Sequence, residues 1–239
     1  MSDFFKKTVN FLKDVLFPKH CLECGQEGEW ICQKCLKILR LVVKPQFFCP
    51  RCYKDNFSGR VCPDCQPYSP LDRAVAAVQY EERLVSQLVK LLKYNYVEEV
   101  GAIFGRLIED FVRQNPTFLS APAEEYLIVP VPLHRRRYVW RGFNQAEILA
   151  RYWSDALKIE LDSRLLARQR HTRTQVGLTG EQRRKNLVGA FAVKKPLLKA
   201  KIILVDDVFT TGSTLQECAR VLKSAGAQEV WELTLARER

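Results

Sequence analysis

The chain has 239 residues, 47% of them hydrophobic, and a formal net charge of +11. That length holds one medium domain with its own core plus one small domain, and that apolar fraction excludes a disordered chain. The charge points to an anionic partner: a nucleotide, a pyrophosphate, nucleic acid or a membrane surface.

Residues 1–17 set Phe4, Phe5, Val9, Leu12, Val15 and Leu16 among Lys6, Lys7 and Lys13, the pattern of a short amphipathic helix. They lack the uninterrupted apolar core of a signal peptide, and no later run approaches the roughly 20 apolar residues that span a bilayer. The chain is therefore expected to stay in the cytoplasm, without a transmembrane segment.

Eight of the nine cysteines form four C-x-x-C pairs: Cys21/Cys24, Cys32/Cys35, Cys49/Cys52 and Cys62/Cys65. Two residues between thiols let a tight turn aim both sulfurs at one tetrahedral ion, and Gly25, Pro50 and Pro63 suit such turns. With no secretion signal, zinc is favoured over disulfides, and four tandem pairs argue against a lone redox motif. Two structural Zn²⁺ ions are expected. Sequential pairing is simplest, and an interleaved arrangement stays open. About 45 residues hold too little apolar mass to fold alone, so metal would supply their stability. Two tetrathiolate sites, each carrying about −2, would leave the protein at about +7, still basic. Cys218, far downstream in a helical pattern, reads as a small buried residue.

Composition changes after Cys65, where Pro67 and Pro70 mark a connection. A boundary near Gln66 separates a helix-plus-zinc module, residues 1–66, from an α/β domain, residues 67–239. Residues 73–80 alternate like a strand, and Leu84, Leu88, Leu91 and Leu92 recur at helical spacing. A second helix is predicted over 100–112, a strand over 126–131, a helix over 145–157 and a very apolar strand over 201–205. A helix over 215–224, closed by Gly226, and a strand over 229–236 follow. Such alternation predicts a mostly parallel sheet with helices on both faces, with ligands bound beyond the carboxyl ends of the strands.

The most informative stretch begins at Val205. A buried strand ends in Asp206 and Asp207. Val208 and Phe209 then lead into Thr210, Thr211, Gly212, Ser213 and Thr214, which open a helix. Backbone N–H groups and hydroxyls at a helix N-terminus make an anion site, and Gly212 admits close approach. The two acids would repel bare phosphate. They suit sugar hydroxyls instead, with phosphate seated in the turn.

This stretch resembles the phosphoribosyl pyrophosphate loop of type I phosphoribosyltransferases. The resemblance implies that Asp206 and Asp207 hold the ribose hydroxyls, that residues 210–214 hold the 5-phosphate, and that Mg²⁺ arrives with the ligand. Residues 129–134 (VPVPLH), residues 141–145 (RGFNQ), Gln175, residues 183–186 and Phe191, together with the cysteine knuckles, are similar to the ComF family of competence-associated proteins. The resemblance spans nearly the whole chain. It implies a pyrophosphate loop after the first core strand, at Pro132, Leu133, His134 and Arg135, with Arg141 and Asn144 on the same side. It also implies a link to DNA uptake or to the use of DNA as a nutrient.

The basic residues 164–186 occupy the place of the mobile loop of type I enzymes, and His171 within it has no visible catalytic partner. Nothing in the sequence identifies a base-reading hood, so a transferase and a non-catalytic sugar-phosphate sensor both fit. Arg135, Arg136, Arg137 and Arg141, interleaved with Tyr138, Trp140 and Phe143, would also suit single-stranded DNA. Packing of Trp140 and Phe143 on the sheet is the favoured expectation. A zinc module docking an uptake helicase or another competence protein is a third possibility.

Overall fold

A computed structural model describes residues 18–42, 44–80, 82–94, 100–170, 186–199 and 201–238. The helix expected over residues 1–17 lies outside them. So do residues 171–185, which include His171, Arg173, Gln175, Arg183, Arg184 and Lys185. Packing divides the chain into two units, Met1–Val42 and Val43–Arg239.

In the smaller unit a knuckle turns at Cys21–Cys24, where the Gly25 amide donates to the Cys21 carbonyl at 2.9 Å. Helix α1 (Gln33–Val42) follows and buries Leu36 and Leu39 together with Ile31.

The larger unit is built on β1 (Gln46–Phe48), β2 (Arg73–Gln79), β3 (Tyr126–Pro130), β4 (Glu160–Leu161), β7 (Lys201–Phe209) and β8 (Glu229–Arg237). They form one sheet in the order β1-β2-β8-β7-β3-β4, parallel except for the antiparallel edge strand β1. The helices are α2 (Arg83–Tyr94), α3 (Val100–Gln114), α4 (Arg135–Arg141), α5 (Gln145–Leu157) and α6 (Ser213–Ser224). On one face Phe111 of α3 and Trp153 of α5 stack edge to face at 5.2 Å, and the cluster continues through Phe118 and Tyr126 to Trp231 of β8. On the other, Leu215, Cys218, Ala219 and Leu222 of α6 pack on Ala74, Leu127, Ile202 and Leu204. Strand alternation sends neighbouring residues of β7 to opposite faces, so both are covered, as the α/β pattern predicts.

Two elements differ from expectation. Residues 164–186 were expected to form one loop, yet β5 (Leu166–Arg168) pairs antiparallel with β6 (Phe191–Val193), because Leu165, Leu166 and Phe191 bury into the core beside Leu187. Strand β7 also runs to Phe209, past the predicted end at Val205, because β8 keeps pairing with it as far as Phe209↔Arg237. The second cysteine knuckle belongs to the larger unit: β1 leads into it and pairs with β2, and the Gly59 carbonyl accepts from the Ala74 amide.

Candidate functional site

The carboxyl end of β7 carries the acid pair. Asp207 is 4% exposed; its Oδ1 accepts from the Val208 amide at 2.7 Å, and its Oδ2 lies 2.9 Å from Lys93 Nζ at the end of α2. Asp206 accepts from the Asp207 amide at 2.9 Å, on the face of Ile202 and Leu204. Burial and then the Asp207 charge push the Asp206 carboxyl up to about 7, against the pull of Lys93 and Arg168. Strand alternation sends the two carboxyls to opposite faces of β7, Asp207 into the ion pair with Lys93. Below them Glu232 of β8 is 1% exposed, neither of its carboxylate oxygens accepts a hydrogen bond among the described residues, and burial raises its carboxyl well above the usual range. Lys93 and Glu232 were not singled out from the sequence. Lys93 is one lysine among many on a helix, and Glu232 sits in a strand whose pairing on both sides only the fold reveals.

After Phe209 the chain turns. Thr210 is exposed, Gly212 is left-handed at φ +60°, and α6 begins at Ser213. A Cβ on Gly212 would lie 2.5 Å from the Phe209 ring, so the close approach and the backbone both require glycine here. Thr211 Oγ1 and Ser213 Oγ are 3.0 Å apart. The backbone amides of the first turn of α6 and these hydroxyls form a donor set fit for a phosphate. The ring of Phe209 packs against Gly212 from the core side: it is 1% exposed and lies on Phe48 at 4.9 Å and Tyr53 at 5.5 Å. The second knuckle therefore adjoins the turn directly. Tyr53, Lys54, Asp55, Phe209, Thr210, Arg237 and Glu238 enclose a cavity of about 440 Å³.

One strand over, the Val131 amide donates to the Val205 carbonyl at 2.9 Å, which brings half-buried Pro132, Leu133 and His134 to the same end of the sheet. His134 caps α4 through Nδ1, which accepts from the Arg136 amide at 3.2 Å, and Gly142 ends that helix. Arg135 is exposed. Asn144 is buried: it caps α5 and donates to the Val131 carbonyl at 3.0 Å, bracing the loop from beneath. Arg141 Nη1 donates to Gln145 Oε1 at 2.6 Å. Trp140 does not pack on the sheet as expected: it is 69% exposed beside exposed Val139, because α4 is short and capped away from the core, while Phe143 is half-buried. A cavity of about 650 Å³ is lined by His134, Arg135, Arg136, Trp140 and Arg168.

The eight cysteines gather sequentially, Cys21, Cys24, Cys32 and Cys35 in one cluster and Cys49, Cys52, Cys62 and Cys65 in the other, the thiols of each within 4.8 Å of one another. Thiolates about 2.3 Å from a tetrahedral ion stand about 3.8 Å apart. The Cys24–Cys32, Cys49–Cys62 and Cys52–Cys62 separations are 3.7, 3.7 and 3.8 Å, so both clusters fit zinc. Burial pushes the Cys21 thiol up, but the amides of Cys24, Cys32 and Glu23 outweigh it and bring it to about 6. Cys49 is brought to about 7 in the same way by the amides of Cys52, Cys62 and Arg51. Cys35 and Cys65 are pushed up to about 12, Cys35 chiefly by burial and Cys65 chiefly by Cys62. In each cluster the amides thus favour one thiolate, and metal binding would release the remaining thiol protons to solvent.

The sequence matches two family models, a double zinc ribbon domain over residues 12–66 and a phosphoribosyl transferase domain over residues 146–239. It is 35% identical to the DNA utilization protein YhgH of Escherichia coli strain K12 over 211 residues, covering 85% of this chain and 90% of that protein. It is 32% identical to competence protein F of Haemophilus influenzae, covering 91% and 95%. It is 25% identical to competence protein ComFC of Streptococcus pneumoniae, covering 95% and 96%.

Proposed function

Because the chain belongs to the ComF/YhgH family of competence and DNA utilization proteins, with a phosphoribosyltransferase domain behind a double zinc ribbon, we propose that its sheet end binds phosphoribosyl pyrophosphate with Mg²⁺ and transfers the phosphoribosyl group to a nitrogen nucleophile. The observation that carries this reading is the coincidence at one strand terminus of a left-handed glycine turn at a helix N-terminus with a carboxylate pair held beside Lys93. The turn at residues 210–214 takes the 5-phosphate. Asp206 and Asp207 accept from the ribose hydroxyls, and the amides and side chains of residues 132–135 face the pyrophosphate.

The nucleophile attacks C1 as the bond from C1 to the pyrophosphate oxygen breaks, through a transition state with oxocarbenium character. Bound Mg²⁺ supplies charge neutralisation of the leaving group and takes oxygen donors of the kind the acid pair offers. The chain's own contribution is positioning and electrostatics: no covalent nucleophile is needed. The zinc sites, with four thiolates each, are closed and structural.

Calorimetric titration of phosphoribosyl pyrophosphate with Mg²⁺ tests the site. Zinc-replete wild type is expected to bind at micromolar concentration, and the Asp206→Ala/Asp207→Ala double variant to lose that binding. No binding by folded wild type would refute the ligand assignment. Binding without turnover over a panel of nitrogen acceptors would leave a sensor.

A second reading, direct binding of single-stranded DNA, is favoured by one observation: Tyr138 and Trp140 are exposed on a helix that also carries Arg135 and Arg136. Cationic phosphate contacts beside stacking rings are how such strands are held, each stacked base being worth about 1–3 kcal/mol. Anisotropy of a labelled oligonucleotide should then show affinity that falls with salt and falls tenfold or more in Trp140→Ala. Affinity equal in the variant would exclude this surface. Docking of a DNA-uptake helicase or another competence protein through the zinc module would show as co-purification that Trp140→Ala leaves intact.

A further inference from the structure

The first C-x-x-C turns of the two zinc clusters share one backbone hydrogen bond, and the residue that closes it differs in kind. In the first, Gly25 follows Cys24 with φ +75°, and its amide donates to the Cys21 carbonyl at 2.9 Å. In the second, Tyr53 follows Cys52 with φ +64°, and its amide donates to the Cys49 carbonyl at 3.0 Å. The turn needs a left-handed residue, which glycine supplies freely and tyrosine only under strain. A strained residue at a site that glycine would fill without cost points to a use for its side chain.

That side chain reaches the phosphate turn. The Tyr53 hydroxyl donates to the Thr211 carbonyl at 3.1 Å, and its ring packs edge-on against Phe209 at 5.5 Å. In a planar trans peptide the carbonyl and the next amide point opposite ways. Holding the Thr211 carbonyl therefore fixes on which side the Gly212 N–H is presented. Gly212, free at both backbone torsions, offers little resistance of its own to a reversed peptide, which would turn a carbonyl toward an anion. Other contacts of the same knuckle brace the same region: Gln216 of α6 donates to the Pro50 carbonyl at 2.9 Å, and Arg237 donates to Asp55 and to the Tyr53 carbonyl, each at 2.6 Å.

We propose that Tyr53 is a positioning residue, the latch by which the second zinc knuckle holds the Thr211–Gly212 peptide in its phosphate-binding orientation; this rests on the sugar-phosphate reading of the turn. The coupling is reciprocal: ligand in the turn stabilises the zinc-loaded knuckle as much as the knuckle stabilises ligand.

The test titrates phosphoribosyl pyrophosphate with Mg²⁺ into wild type, Tyr53→Phe and Tyr53→Gly. In parallel, zinc is withdrawn by a metallochromic chelator with and without that ligand. Tyr53→Phe is expected to keep two zinc ions and the wild-type melting temperature while binding about five- to tenfold more weakly, the effect of one lost hydrogen bond. Tyr53→Gly, relieved of backbone strain, should also keep both ions and bind no better than Tyr53→Phe. In wild type the ligand should raise the chelator concentration that removes one of the two ions, and in Tyr53→Phe that protection should shrink. Wild-type affinity in Tyr53→Phe, or zinc release indifferent to ligand in a wild type that binds it, would overturn the latch alone. A wild type that binds no ligand overturns the sugar-phosphate reading and the latch with it.

Discussion

Glu232 lies 1% exposed between β2 and β7, and among the described residues neither of its carboxylate oxygens has a hydrogen-bond donor. Burial raises its carboxyl, and Asp206, at about 7, is raised in the same direction. Above about pH 4.5 the unfolded chain has released these protons while the folded chain keeps them, so stability declines as pH rises until the folded groups also ionise. Each such group costs up to about 1.4 kcal/mol per pH unit across that window. Urea midpoints of the ligand-free protein should fall from pH 5 to pH 8, and Glu232→Gln, which cannot ionise, should flatten that slope and unfold later than wild type at pH 8. A slope unchanged in the variant would mean that Glu232 is not the group responsible. The acid pair and the glycine turn were legible because they are contiguous in sequence. Lys93 and Tyr53 were not, since each reaches the site from a segment more than a hundred residues away, and a lysine at a helix end or a tyrosine after a C-x-x-C pair carries no local mark of such a contact.

The two knuckles are alike as metal sites and unlike as elements. The first is followed by α1 in the unit Met1–Val42, whereas the second is built into the larger unit, with β1 leading into it and pairing with β2. Its left-handed tyrosine costs about 1–2 kcal/mol, which the first knuckle avoids with Gly25. Cys24→Ser and Cys52→Ser should each leave one tightly held zinc. Only Cys52→Ser should lower the melting temperature of the larger unit and weaken phosphoribosyl pyrophosphate binding, by calorimetry on the same samples; equal losses in both variants would refute this division. Helix α5 was readable to the residue because its cap Asn144 and its apolar period agree. The β5–β6 pair was hidden because the strands are short, basic on one side and joined through a long intervening segment, so neither shows a period without the other.

At the scale of the molecule, alternation of strand and helix was enough to predict a parallel sheet covered on both faces, because that pattern has few packed solutions. Packing parts the chain after Val42, because β1 joins a sheet of order β1-β2-β8-β7-β3-β4 whose other strands all lie downstream of it. That order has a bearing on synthesis. Strand β8, later in sequence than every other strand, is inserted between β2 and β7. At a translation rate of roughly 5–20 residues per second, β2 leaves the ribosome many seconds before its parallel partner exists. Until then the nascent chain carries an apolar Ala/Val strand with one unpaired edge, a template for aggregation that metal capture at the second knuckle cannot cover. The zinc ribbon can form early, but the ligand site cannot mature until β8 closes the sheet, which makes this a protein whose late-folding centre would call on chaperones during synthesis.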